Sequence, residues 1–198
     1  MSISKKIIGL TLSMLLCSGV VVAAEFDKGF KALQSGDFKT AIAEWTPLAE
    51  QGHAPAQNNL GAMYDNGTGV PENDKTAVKW YTLAAKQGHA GAQNNLGLMY
   101  ANGNGVPEND KTAVMWYTKA AKQGSADGQN HMGFMYVTGS GVLTDNRRAY
   151  MWWNLGSYNG HEMASENKDI IAKQMTPADI SKAQDMSSTC LESNYTDC

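Results

Sequence analysis

The sequence predicts an all-α fold: a solenoid of helix-turn-helix repeats closed by a C-terminal helical cap. Three observations carry this. First, Pro55 to Ala126 is one 36-residue unit written twice; residues 55–90 and 91–126 align without a gap and differ at only seven places. Second, a diverged third copy follows at 127–162, with Gln129, Gly133, Tyr136, Gly139, Gly141, Val142, Ala149, Trp152 and Gly160 in register. Self-similarity at such a period marks an array in which neighbouring units bury each other's apolar faces. Third, within each unit the apolar spacing reads as two helices around a connector containing glycine and, in the first two copies, proline.

The elements follow in chain order. Lys5 and Lys6, an apolar run from Ile7 and the ending Val22-Ala23-Ala24 form the layout of a secretory signal peptide, residues 1–24, cut after Ala24. Two alternatives compete. The run is just long enough to be a retained membrane anchor, and Cys17 could be a lipid site, although Leu16 before it is not the small residue such sites want. Residues 25–54 read as a divergent first repeat: Phe26, Phe30 and Leu33 mark a helix, Gly36-Asp37 a tight turn, and Ala41, Trp45 and Leu48 a second helix. In the unit 55–90, Ala56, Leu60, Met63 and Tyr64 define an amphipathic helix over Ala54 to Asp65. Asn66-Gly67 stops it, because both residues tolerate the left-handed backbone of a helix end. After a loop through Gly69 and Pro71, Asn73 or Asp74 caps a second helix. Its inner face is Ala77, Trp80, Tyr81, Ala84 and Ala85, and it ends at Gly88 with Lys86 near the negative end of the dipole. Gly61 and Ala84 are small where the helices approach closely. The units 91–126 and 127–162 read the same way. After Gly160 the repeat breaks. In 163–198, Met163 to Met175 and Pro177 to Cys190 read as two further helices, the second announced by Thr176-Pro177-Ala178-Asp179. Ile170, Ile171, Ile180, Ala183 and Met186 are expected to cover the open end of the array.

The residues Ala-Gln-x-x-Leu-Gly-x-x-Tyr at 56–64, then Gly67-x-Gly69-Val70, Asp74-x-x-Ala77-x-x-Trp80-Tyr81-x-x-Ala84-Ala85 and Gly88, are nearly repeated at 92–124. This pattern resembles the Sel-one-like repeat (SLR), a branch of the tetratricopeptide-repeat superfamily. The third unit departs from it at Met132, Leu143, Asn146 and Gly156. The tail, with Met175-Thr176-Pro177, an Ala-bearing helix and two cysteines, resembles the ending of secreted members. The resemblance implies a right-handed solenoid and a non-enzymatic scaffold or adaptor of the bacterial cell envelope, periplasmic or secreted, binding a peptide or protein. The competing class is an envelope enzyme or a glycan- or penicillin-interacting protein. Ser165-x-x-Lys168 matches the first motif of penicillin-interacting enzymes. For their Ser-Asp-Asn and Lys-Thr-Gly, however, the chain offers only Thr144-Asp145-Asn146 and Lys75-Thr76-Ala77.

The seven differences between the two near-identical units lie at 55/91, 62/98, 65/101, 68/104, 79/115, 83/119 and 89/125. In a tetratricopeptide-type unit, positions 55, 62 and 65 face the concave groove, as does Asn58. The candidate groove is therefore Asn58, Ala62 and Asp65, then Asn94, Leu98 and Ala101, then Asn130, Phe134 and Val137. It grows more apolar toward the C-terminus, and a contiguous exposed apolar patch often marks a binding surface. The asparagines could hold a peptide backbone while Leu98, Phe134 and Val137 receive its side chains.

Net charge is −3, and loss of Lys5 and Lys6 makes it two units more negative, which argues against nucleic acid as partner. After cleavage no remaining segment is apolar enough to span a membrane. No cofactor or metal is expected. His53, His89 and His161 recur one per unit, too far apart to share an ion. His131, Met132 and Met135 are copper-compatible types. Yet Met132 aligns with Leu60 and Leu96, and Met135 with Met63 and Met99, which makes both core positions. Gly67-Thr68-Gly69 follows a helix and recurs, as a connector does and a phosphate loop does not. Trp80, Trp116 and Trp152 read as core. Cys190 and Cys198 are the only cysteines left after cleavage, and an exported chain meets oxidising conditions, so they are expected to pair within a monomer or between two chains.

Overall fold

A computed structural model describes residues 22–198; residues 1–21, with most of the expected signal peptide and Cys17, lie outside the described residues. The described residues form helices and no strand. The helices are α1 (22–34), α2 (Phe38–Glu50), α3 (Ala54–Asp65), α4 (Asp74–Lys86), α5 (Ala90–Asn102), α6 (Asp110–Ala121), α7 (Ala126–Thr138), α8 (Asn146–Tyr158), α9 (Glu162–Ala172) and α10 (Pro177–Glu192). Each first helix packs on the second helix of its own unit and on that of the unit before: α3 on α4 and α2, α5 on α6 and α4, α7 on α8 and α6.

Capping explains where the helices begin. Asn73 and Asn109 start α4 and α6, their side chains accepting from the N–H of Thr76 and Thr112; Asp145 does the same for α8 through Arg147 and Arg148. First helices α3, α5 and α9 begin at His53, His89 and His161, whose Nδ1 accepts the N–H of Ala56, Ala92 and Ala164. Ser125 takes that place before α7. The histidines are thus helix caps, a more specific role than loop residues.

Each unit is closed by an aromatic ring over a glycine. A Cβ on Gly61 or Gly97 would lie 2.6 Å from the ring of Tyr81 or Tyr117. Trp45 and Trp153 cover Gly29 and Gly133 in the same way. Trp116 and Trp152 are buried, as expected, whereas Trp80 is only partly buried and packs against the edge of the first cluster. The connectors need glycine for a different reason. Gly105 and Gly141 have φ of 68° and 71° and press against the backbone of Asp74 and Asp110, where the preceding second helix begins. Both the left-handed backbone and the close approach exclude a side chain.

Beyond Gly160, where the repeat in sequence ends, one more helix, α9, takes the place of a first helix. That helix is capped by His161, carries Ala164 and Asn167 in register with Ala92 and Asn95, and packs on α8 as the next first helix would. Gly156 of α8 meets Ala164 where Ala120 meets Gly128 one unit earlier, so these two small-residue crossings each keep one alanine and one glycine. Helix α10 departs from the pattern and lies against α8. It contributes Ala183 and Cys190 to the clusters that hold Tyr150, Trp153, Met151 and Leu155. Of the residues expected beneath the cap, Ile171 and Ala183 are buried, whereas Ile170 is 56% exposed.

Candidate functional site

The candidate groove residues all sit on first helices: Asn58, Ala62 and Asp65 on α3, Asn94, Leu98 and Ala101 on α5, Asn130, Phe134 and Val137 on α7. Leu98 and Phe134 occupy the same register position and are 38% and 42% exposed. The register extends further in both directions. Ile170 on α9 lies 36 residues beyond Phe134. Phe30 of α1 follows Gly29, whose cover by Trp45 matches that of Gly61 by Tyr81, so Phe30 is the counterpart of Ala62; it is 44% exposed. Five first helices thus present Phe30, Ala62, Leu98, Phe134 and Ile170 in one row. At Ala62 the row has a notch of about 190 Å³, lined by Leu33, Asn59, Ala62, Met63, Asn66 and Thr68. Phe134 is held edge-on against Trp153, ring centres 5.4 Å apart and planes at 86°. Trp153 is itself fixed by an Nε1–H bond to the Asn130 carbonyl.

Beside this row, polar side chains bind one another across the units. Asn95 Nδ2 donates to Asn58 Oδ1 (3.3 Å), His131 Nδ1–H to Asn94 Oδ1 (2.9 Å) and Asn167 Nδ2 to Asn130 Oδ1 (3.5 Å). Asn94 and Asn130 are buried. His131 stacks on Tyr117 at 4.6 Å, and its burial lowers its pKa. Asp65 accepts from the Tyr81 hydroxyl (3.2 Å); burial raises the pKa of both groups. Deeper in, Gln57, Gln93 and Gln129 donate to the carbonyls of Ala49, Ala85 and Ala121 at the end of the preceding second helix. Each accepts from Gln87, Gln123 or Asn159 of its own unit. Sequence reasoning placed these glutamines in a motif and missed this role.

From α3 onward charge is uneven between the helix classes, whereas α1 carries Lys28 and Lys31 and α2 sets Lys39 against Glu44 and Glu50. Helices α3, α5 and α7 carry no lysine or arginine, and α9 sets Lys168 against Glu162, Glu166 and Asp169. Basic residues collect on second helices instead, with Lys75, Lys79 and Lys86 on α4, Lys111 and Lys119 on α6, and Arg147 and Arg148 on α8. Asp127, whose Oδ1 lies 3.5 Å from His161 Nε2, and Glu166 are exposed acids on the first helices α7 and α9.

The other candidates stay apart. Ser165 and Lys168 share α9, Asp145 is occupied as the cap of α8, and Lys75 lies in the first turn of α4. Among the described residues no three His, Cys, Asp or Glu side chains converge as metal ligands, and no helix is long and apolar enough to cross a membrane. Cys190 and Cys198 lie together with Cα atoms 4.8 Å apart, placed as a disulfide pair.

Comparison with known proteins matches the Sel1 repeat family to residues 54–89, 90–125 and 126–161. Among solved structures, a Sel1 repeat protein from Oxalobacter formigenes is 34% identical with a TM-score of 0.69, over 74% of this chain and 58% of that one. A protective antigen present in uropathogenic Escherichia coli strains, displaying an SLR fold, is 27% identical with a TM-score of 0.61, over 88% of this chain and 47% of that one. The chain therefore spans about half the length of these relatives. Comparison with curated proteins gives no match.

Proposed function

Because this chain belongs to the Sel1 repeat family, whose repeats are protein-interaction scaffolds, we propose that it is a non-enzymatic adaptor of the bacterial cell envelope, periplasmic or secreted, that binds a peptide or protein partner along its first helices. The row of exposed apolar residues at one register position carries this reading. Phe30, Leu98, Phe134 and Ile170 gain nothing for the fold by standing in water, and a contiguous apolar surface of this kind commonly serves association. Two near-identical units that keep their packing residues and differ at 55, 62 and 65 are what a varying binding face on a fixed scaffold would look like.

The test is the double substitution Leu98→Asp with Phe134→Asp in the full exported chain. Capture of the partner from envelope extract, read by crosslinking and mass spectrometry, is expected to be lost while the helical signal and melting temperature hold, since both side chains are partly exposed. Capture that survives the double change, or a fold lost with it, overturns the assignment. The envelope location has its own check. N-terminal sequencing of the exported protein is expected to begin at Glu25; a start at Cys17 or an uncut chain argues against the signal peptide as drawn.

A further inference from the structure

We infer that the partner segment is a basic amphipathic α-helix laid across the first helices, and not an extended peptide; the inference rests on the reading of that face as the binding surface. An extended peptide loses water from its backbone N–H and C=O groups on docking, and the surface must then supply partners for them. The carboxamides beside the apolar row are the groups able to do so; their oxygens are engaged, and Asn94 and Asn130 are buried. The Oδ1 atoms of Asn58, Asn94 and Asn130 accept from Asn95, His131 and Asn167 of the next first helix. Among the described residues no buried side-chain nitrogen or oxygen lacks a partner. The face offers apolar contact and little main-chain bonding. An α-helix suits such a face because its backbone groups are already paired internally, and helix-in-groove recognition asks only for apolar anchors at regular spacing.

The spacing fits. Successive first helices are close enough for Asn95 and Asn58 to bond side chain to side chain; at the roughly 8–10 Å between packed helices and about 1.5 Å per residue, one step is about five to seven helical residues. Side chains at i, i+7 and i+14 of a helix crossing the row would meet Leu98, Phe134 and Ile170 in turn. A larger side chain one step further on would enter the notch at Ala62. Charge sets the rest of the partner's surface. Asp127 on α7 and Glu166 on α9 are exposed, and α3, α5 and α7 bring no lysine or arginine, so that from α3 to α9 the first helices set Lys168 alone against Asp65, Asp127, Glu162, Glu166 and Asp169. Lysines or arginines between the apolar anchors would therefore meet more acids than bases.

A display library of random 24-residue peptides, selected on the full exported chain and counter-selected on the Leu98→Asp, Phe134→Asp variant, tests this. Expected binders carry apolar residues about seven apart with Lys or Arg between them, and show helical carbon shifts by NMR when bound. A central proline is expected to weaken them at least tenfold, and Asp127→Lys with Glu166→Lys several-fold. Binders that depend on Leu98 and Phe134 but are bound extended overturn the helix and leave the face standing. Helical binders that are acidic, or indifferent to the two lysine substitutions, overturn the charge assignment. A library yielding no binder that depends on Leu98 and Phe134 overturns the face as well. A dimer in light scattering that this variant abolishes would mean that a second copy is the occupant, and the inference would fall.

Discussion

His89 shows how much one side chain settles. Its Nδ1 accepts the Ala92 N–H and starts α5, a bond that the imidazole can make only when that nitrogen is unprotonated. Burial, and then the neighbouring His53, hold its pKa below the ordinary 6.5; burial also lowers those of His53 and His131. A base with a lowered folded pKa adds stability that is complete above the unfolded value and is lost as pH falls below it. The melting temperature is therefore expected to drop between pH 7.5 and 5.5, and the drop to be shallower in a His53→Ser, His89→Ser variant. Serine keeps the cap, as Ser125 does for α7. His89→Ala should cost about 1 kcal/mol at pH 7.5 in urea denaturation, and His89→Ser much less. Gln93 matters by a different route. Gln93→Leu would strand the Gln123 amide and remove a donor from the Ala85 carbonyl, so a loss of about 1–3 kcal/mol is expected. An unchanged denaturation midpoint would show that water replaces the side chain. Neither role was legible in the sequence. A polar residue at helical spacing reads as surface, and the partners of Gln93 stand eight residues before it and thirty after.

At the scale of the helix, legibility followed repetition. The limits expected for α3 match Ala54–Asp65, because Ala56, Leu60 and Met63 state the period and Asn66-Gly67 state the stop. The start of α4 was left open between two residues, and Asn73 holds the cap. Where the sequence drifts, legibility failed. The register of α9 was hidden because Met163, Glu166 and Ile170 replace Gly91, Asn94 and Leu98, so Ile170 looked like core. Phe30 was hidden by the shorter connector at Gly36. Since each helix packs mainly on its neighbours in the chain, whole units should be separable. Deleting 91–126 is expected to leave a shorter folded protein, because the Gln87–Gln57 and Asn159–Gln129 bonds survive and the new seam joins matching surfaces. Deleting half a unit should leave an unfolded chain. Equal loss of the circular dichroism signal in both would argue for an indivisible domain.

Over the whole molecule, two ends and two faces are distinguished. The C-terminal end is finished by α10 and the tail, where Tyr195 exchanges hydrogen bonds with Asn159 and Lys122 donates to the Thr196 carbonyl. The cysteine pair closes that tail onto α10. The exported molecule is expected to be a monomer whose unreduced mass is that of one chain, two hydrogens lighter than after reduction; an unchanged mass or a disulfide-linked dimer would contradict this. The two faces differ in charge, and net charge alone concealed it. A modest −3 for the chain hides basic second helices α4, α6 and α8 behind first helices α3, α5, α7 and α9 that are neutral or acidic.

The asparagine and glutamine bonds between units have a genetic consequence. The joints reuse equivalent positions, Gln57, Gln93 and Gln129 bonding the alanine carbonyls of the preceding second helix, so a joint between two copies of one unit is already complementary. An unequal crossover that copied one 36-residue stretch of coding sequence would add a unit whose amides and small residues find their counterparts without further mutation. The duplicated unit would also add one more position to the apolar row, free to change as positions 62 and 98 have already diverged. In such a chain the reach of the apolar row can grow in whole steps while its chemistry varies one residue at a time.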